Sequence, residues 1–442
     1  VTSALRVGVA GLGTVGASVL NIIARQDNAL AERCGRSVRV TAVSARDRAR
    51  DRGHDLSGYA WFDDPVALAR SDEVDCVVEL IGGADGPAKA VVETALSHGK
   101  HVVTANKALL ARHGLSLAGL AEANGLALAF EASAAGGIPV VKTLREALAG
   151  NAVTRLSGIL NGTCNYILSR MESERLDFAT CLAAAQKLGY AEADPTFDIE
   201  GYDTAHKLAI LTSLAFGTEL DADAIYVEGI SSIAPLDLAT ADELGYRIKL
   251  LGVAERTATG IEARVHPTMV PKSSSIAQVM GVTNAVTIDA DAVRELTLIG
   301  PGAGGDATAS AVVADIADVA AGLVGAPFGR PVARLERAER APMQRHEGGY
   351  YIRLTVHDRP GVAAGVATRM AEADISIEAI LQKRRQAADG EAHDPRGRSG
   401  APVSLVLLTY AATESTIRAA LDRIAADGLV AEPPQVIRIE RE

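Results

Sequence analysis

The first stretch of the chain, Leu5-Arg-Val-Gly-Val-Ala10, is dominated by apolar positions and predicts a buried strand. Gly11-Leu-Gly-Thr-Val-Gly16 interrupts it, and apolar residues then recur at helical spacing through Val19, Ile22 and Ile23. A second strand is expected at Val38 to Val43 and a third at Val74 to Leu80. Helical patterns follow at Ala88 to Ser97 and Ala108 to Ala123, with short strands at His101 to Val103 and Leu126 to Phe130. Strand and helix alternate, which implies a parallel sheet covered on both faces.

Past Phe130 the alternation fades. Small residues in Glu131-Ala-Ser-Ala-Ala-Gly-Gly-Ile-Pro139 suit a close turn, and Leu156 to Leu160 reads as a strand breaking at Asn161-Gly162 into a helix. Further strands are expected at Arg247 to Ala254, Glu262 to Met269, Ala285 to Ile288 and Glu295 to Ile299, in a largely antiparallel or mixed sheet. After the helix Thr308 to Leu323, the segment Pro327 to Arg345 reads as a linker. Tyr350 to Val356, Val362 to Ala373, Ile375 to Leu381, Val403 to Leu408, Ser415 to Ala426 and Val436 to Ile439 then give the β-α-β-β-α-β order of a ferredoxin-like unit. The polar stretch Arg384 to Gly400 reads as a mobile hairpin loop.

The fold class expected is therefore α/β. A Rossmann-type dinucleotide-binding domain spans residues 1–133, with 308–340 packing back onto it. An α+β catalytic and dimerisation domain with a mixed sheet spans 134–307, and a ferredoxin-like domain spans 348–442. A linker at this point implies an independent core on each side, so cutting after Ala341 is expected to leave a foldable enzyme.

Composition narrows the function classes. At 442 residues the chain is too long for one ordinary core. A net charge of −11 argues against nucleic-acid binding, which needs basic charge to meet phosphate. No apolar run approaches the ~20 residues that cross a bilayer, and with a strand-like run following Val1 to Ala4 at once, no signal peptide is expected. Cys34, Cys76, Cys164 and Cys181 show no CxxC pairing, so free thiols in a reducing cytoplasm are expected.

GxGxxG carries weight here because it lies between a strand and a helix. Gly11 allows the tight turn, Gly13 lets backbone approach a pyrophosphate, and Gly16 permits close helix–strand packing. The helix start at Thr14 and Val15 offers free N–H groups to phosphate. The second strand ends Val43-Ser44-Ala45-Arg46, with no acid before Asp47 and with Arg48, Arg50 and Arg52 nearby. Two readings stay open: a solvated basic loop, or a seat for a 2′-phosphate centred on Arg46 that would favour NADP while allowing some NAD.

Thr104-Ala-Asn-Lys107, Gly158-Ile-Leu-Asn-Gly-Thr163, Gly189-Tyr-Ala-Glu-Ala-Asp-Pro195, Asp203-Thr-Ala-His-Lys207 and Gly300-Pro-Gly-Ala-Gly-Gly305 follow the glycine motif in order. Together they resemble the homoserine dehydrogenases over essentially the whole chain. The resemblance implies interconversion of L-homoserine and L-aspartate 4-semialdehyde, in threonine, methionine and isoleucine biosynthesis. It implies Lys207 as the catalytic lysine, Glu192 and Asp203 as substrate-binding acids with Asp198 assisting, and Lys107 between cofactor and substrate. Gly189 and Gly304 join the cofactor site by the same comparison. Glu131, Ala134, Gly136 and Ile138 match the family's loop for a monovalent cation such as sodium.

The residues also make chemical sense alone. Asp203 and Lys207 are four apart and share a helix face, with Leu208, Leu211 and Leu214 anchoring the helix. A lysine in a partly desolvated cleft suits a proton shuttle; spacing by itself favours an ordinary acid–lysine pair, and the resemblance reverses that. An amino-acid substrate needs carboxylates for its ammonium. His98, His101, His113 and His206 show no ligand spacing, so no transition metal is expected. Asp358-Arg-Pro-Gly-Val362 resembles the ACT family of amino-acid-binding domains, implying threonine as effector; a dimerisation module is the alternative. A homodimer or homotetramer is expected. Two rivals remain: another amino-acid dehydrogenase on a similar frame, and an inactive nucleotide- and amino-acid-sensing protein.

Overall fold

The computed structural model describes residues 3–383 and 402–440; the expected Arg384 to Gly400 hairpin loop lies outside them. Six strands form the first sheet: β1 (Leu5–Ala10), β2 (Val38–Ser44), β3 (Ala60–Phe62), β4 (Cys76–Glu79), β5 (His101–Thr104) and β6 (Leu128–Ala129). Their order is β3-β2-β1-β4-β5-β6 and every pairing is parallel. The sequence reading missed β3, so the strand at Cys76–Glu79 is the fourth. Three residues of mixed burial are too short for a periodic signal.

Alternate side chains of these strands enter two cores, as a doubly covered sheet requires. Val7, Val9, Cys76 and Val78 pack under the helices Thr14–Arg25 and Gly305–Ala320; Ala10 and Val77 pack with Val91, Leu96 and Leu109 on the other face. The chain thus returns to the nucleotide sheet through the Gly305–Ala320 helix. It does not stay there through residue 340. Val332 N–H meets Glu122 on the nucleotide side, then Glu336 pairs beside Thr218 and Arg340 beside Ile261. Phe328 and Leu335 are buried, so the expected linker is packed structure, because its apolar side chains find cover on the domains it passes.

The second sheet contains β7 (Val153–Ile159), β8 (Tyr226–Val227), β9 (Tyr246–Thr257), β10 (Gly260–Pro271), β11 (Thr283–Ala290), β12 (Arg294–Pro301), β13 (Glu347–His357), β14 (Ile377–Lys383), β15 (Pro402–Thr409), β16 (Ala412–Thr413) and β17 (Gln435–Ile439). Its main path runs β12-β11-β7-β9-β10-β17-β13-β15-β14, with β8 pairing β10 and β16 pairing β13. The ferredoxin-like unit supplies β17-β13-β15-β14, with helices Val362–Glu372 and Glu414–Ala426 covering one face.

This unit has a core of its own beneath the helices, but its sheet is not separate from the catalytic one. β17 pairs parallel with β10 through Thr268–Arg438 and Met269–Ile439, which makes one continuous sheet. Tyr351, Val406, Leu408, Ile437 and Ile439 on its other face belong to the main core with Leu238 and Ala241. Asp237, wholly buried, accepts from the Tyr351 hydroxyl at 2.8 Å and from Arg353 at 2.7 Å. The physical reason for this sharing is that a ferredoxin-like sheet has two faces, and only one carries helices.

Candidate active site

A cleft opens where the first sheet's strand order turns. β1 lies between β2 and β4, and the crevice above their C-terminal ends is where open α/β sheets bind nucleotides. Gly11 has φ +107°, and a side chain there would lie 2.5 Å from the Leu80 carbonyl oxygen; one on Gly16 would lie 2.1 Å from the Gly11 carbonyl oxygen. Both therefore serve the close turn. Nothing lies within 4 Å of the same position on Gly13, which leaves its backbone open to a ligand. Thr14 and Val15 begin one helix, and Gly304 caps the Gly305–Ala320 helix, where Gly305 abuts Thr14 and Ser18. Two helix N-termini thus converge at one mouth, a favourable setting for phosphate.

A cavity here is lined by Gly11, Gly13, Ser44, Arg46, Arg50 and Arg52, among others. Its arginines are not equivalent. Arg52 is spent on structure, donating to the carbonyls of Leu12, Asp47 and Arg50 at 3.1, 2.5 and 2.8 Å. Arg48 and Arg52 both lie over the Trp61 ring. The Arg46 and Arg50 guanidiniums are exposed, and neither makes a hydrogen bond or ion pair among the described residues.

Lys107 starts a helix at the same sheet edge, capped by Asn106, whose side chain accepts from Leu109 N–H at 3.1 Å. Its ammonium lies 3.2 Å from Asp203 Oδ1. Lys207, one turn along the Tyr202–Phe216 helix, donates to Asp203 Oδ2 at 2.7 Å and to the Leu160 carbonyl at 2.7 Å. Asn161 Nδ2 reaches Asp203 Oδ2 and Asp198 Oδ1, each at 2.8 Å. One buried carboxylate therefore gathers two lysines and an amide. Burial pushes the Asp203 carboxyl up, but Lys207, Lys107 and the Lys207 and Asn161 hydrogen bonds outweigh it and hold the group well below the usual carboxylate range. Asp198 moves the other way, raised by burial and by the Asp203 charge.

Not every expected residue joins this cluster. Glu192 is exposed in the 190–195 loop, and its carboxylate meets no partner among the described residues. The loop's base is fixed, since Thr163 Oγ1 donates to the Tyr190 carbonyl at 2.6 Å. Gly189 has φ +76° and follows the Phe178–Lys187 helix, exposed.

The Glu131 loop is buried. Glu131 accepts from Val141 and Lys142 N–H at 2.9 and 2.8 Å, while its own N–H donates to Asp315. Burial and the neighbouring Asp315 charge raise the Glu131 carboxyl to about 7, and burial raises Asp315 to about 6. Asp315 Oδ1 is buried with no hydrogen bond, and Lys142 Nζ is 3.5 Å away. Two adjacent buried acids thus concentrate negative charge in this loop, with Lys142 beside them.

Sequence reasoning singled out neither Asn161 as a bridge nor Glu79. Wholly buried at the end of β4, Glu79 accepts from Ile81 and Gly82 N–H and from Thr104 Oγ1 at 2.7, 3.2 and 2.6 Å. It shapes the loop beside the glycine turn. An acid ending an apolar strand was the available signal.

Residues 139–317 match the family model "Homoserine dehydrogenase", residues 11–131 "Homoserine dehydrogenase, NAD binding domain", and residues 350–394 "ACT domain". The chain is 44% identical to the homoserine dehydrogenase of Pseudomonas aeruginosa, covering 99% of each. Among solved structures it resembles a homoserine dehydrogenase from Thiobacillus denitrificans, with TM-score 0.91, 42% identity, and coverage of 99% of this chain and 98% of that one. It also resembles a hyperthermophilic archaeal homoserine dehydrogenase in complex with NADPH, with TM-score 0.62, 25% identity, and coverage of 71% of this chain and 97% of that one.

Proposed function

The chain belongs to the homoserine dehydrogenase family, NAD(P)-dependent oxidoreductases acting on the CH–OH group of homoserine, and from that premise we propose the part its own residues play. Bound in the cleft above Gly11 to Gly16, the nicotinamide cofactor supplies the hydride acceptor. Lys207 Nζ takes the hydroxyl proton of L-homoserine during oxidation and returns it when L-aspartate 4-semialdehyde is reduced. Asp203 holds the substrate ammonium, with Asp198 beside it. A substrate ammonium brings a third positive charge to a carboxylate already shared by Lys107 and Lys207. Glu192 completes the ammonium site when its loop folds over the substrate. The convergence of Lys107, Lys207 and Asn161 on the buried Asp203 carries this reading. Absorbance at ~340 nm, where reduced nicotinamide absorbs, should rise on mixing the protein with homoserine and the oxidised cofactor. Silence with homoserine but turnover of another amino-acid alcohol would sink the substrate assignment.

NADP is the better-fitted cofactor, because Ser44 ends β2 without an acid and Arg46 and Arg50 stand unengaged. Arg46→Ala should raise the KM for NADPH more than that for NADH, and Ser44→Asp should favour NAD by repelling the 2′-phosphate. Equal effects on both cofactors would make Arg46 a solvated loop residue.

A sodium ion fits Glu131 with the carbonyls of Ala134, Gly136 and Ile138. It would stiffen the crossing between the nucleotide and catalytic domains. Replacing choline by sodium at equal ionic strength should then raise Tm, and Glu131→Gln should abolish that difference. A Tm indifferent to the cation would remove the site.

The pathway assigned is threonine, methionine and isoleucine biosynthesis, in a reducing cytoplasm that suits four free cysteines. Threonine is the effector proposed for the ACT domain at its Asp358–Val362 turn. A homodimer is favoured by the open edge strand β12, where Ile299 is 55% exposed.

A further inference from the structure

The ferredoxin-like domain meets the catalytic body through ion pairs as well as strands. Arg438 on β17, 1% exposed, donates to Glu228 Oε2 at 2.6 Å and to Glu414 at 2.8 and 3.1 Å. Arg418 donates to Glu228 Oε1 at 3.2 Å, and the Tyr226 hydroxyl donates to the same oxygen. Glu228 follows β8, and its own N–H donates to the Val265 carbonyl at 2.8 Å.

From Glu228 the chain leads directly to the substrate cluster. A side chain on Gly229 would lie 2.5 Å from both the Ile199 carbonyl oxygen and Glu200 Oε2, so backbone packs on backbone here. Ile230 N–H donates to that Ile199 carbonyl at 2.9 Å. Ile199 closes the short helix Thr196–Ile199, which carries Asp198. Gly201, packed against Val227 and Val265, caps the helix that carries Asp203 and Lys207. Asn161 then ties Asp198 to Asp203.

We propose that Glu228 is a positioning residue for the substrate: clamped by Arg438 of the C-terminal strand, it seats the Gly229–Ile230 backbone against Ile199 and so sets the placement of Asp198 relative to Asp203. The proposal rests on the reading that these two acids hold the substrate ammonium. No part of the clamp reaches the glycine turn or Arg46, so the phosphate-binding end of the cofactor cleft is independent of it. Misplacing a binding group by about 1 Å can cost on the order of a hundredfold, which sets the scale expected.

The test uses the full-length enzyme. Glu228→Gln keeps size and removes the charge that Arg438 grips. It should raise the homoserine KM roughly ten- to a hundredfold, lower kcat less, and leave the nicotinamide KM unchanged. Gly229→Ala, which leaves every ion pair intact but pushes on Ile199, should produce the same selective rise. Wild-type homoserine KM in both variants overturns the clamp. So does a parallel rise in both KM values, or insolubility of both proteins, since either marks a purely structural role. Asp203→Asn separates the two layers. If it leaves the homoserine KM unchanged, the substrate-site reading itself fails; if it raises that KM while Glu228→Gln and Gly229→Ala do not, only the clamp fails.

Discussion

Lys207→Ala is expected to depress turnover by roughly 10²–10⁴-fold, the loss typical of a removed acid–base group, with cofactor binding kept. The separation follows from the contacts. Lys207 touches Asp203 and the Leu160 carbonyl, and neither belongs to the glycine turn or the basic loop. The helix that carries it is held by Leu208, Leu211 and Leu214, so truncating one partly exposed side chain leaves its seat intact. Lys207→Arg should rescue little, because a guanidinium keeps the charge beside Asp203 but does not give up its proton near neutral pH. Lys107→Ala should weaken substrate and cofactor engagement with a smaller loss of turnover. Steady-state kinetics in both directions, with nicotinamide binding followed by fluorescence, measures all three. Near-normal turnover in Lys207→Ala alongside an inactive Lys107→Ala would reverse the two roles.

Much of this site was legible from local pattern. GxGxxG between a strand and a helix announces its own geometry, and the spacing of Asp203 and Lys207 places both on one helix face. What local pattern could not show is which distant groups share them. Asn161 read as the residue at a strand break, which agrees with its cap on Cys164 N–H at 2.8 Å. Its amide also bridges carboxylates 37 and 42 residues away, and no periodicity encodes that. Glu192 shows the opposite case: the motif marks it, while the free chain leaves its carboxylate in an exposed loop. The C-terminal strand makes the same point for the fold. Val436 to Ile439 reads as a strand from its residues, but its pairing with β10 depends on the second face of a sheet whose burial appears only in three dimensions.

That shared sheet makes removal of residues 342–442 the other large effect. The shortened chain is expected to lose catalytic-domain stability and become aggregation-prone, contrary to what a linker alone implies. β10 would lose β17 and expose an edge next to Met269 and Val270, a ready template for unwanted pairing. Leu238 and Ala241 would lose the apolar cover of Tyr351, Leu408 and Ile437. Arg264, 1% exposed, would lose Glu440, and Arg155 would lose it too, at 2.9 Å in each case. Buried Asp237 would lose Arg353, and stranding one partner of a buried pair costs about 3–5 kcal/mol where water does not reach it. Replacing Leu238 and Val270 with polar residues in the truncated protein should accordingly recover solubility. Thermal unfolding and light scattering of the three proteins decide it: a truncated enzyme as soluble and as heat-stable as the full chain would show that the continuous sheet contributes nothing to the catalytic core.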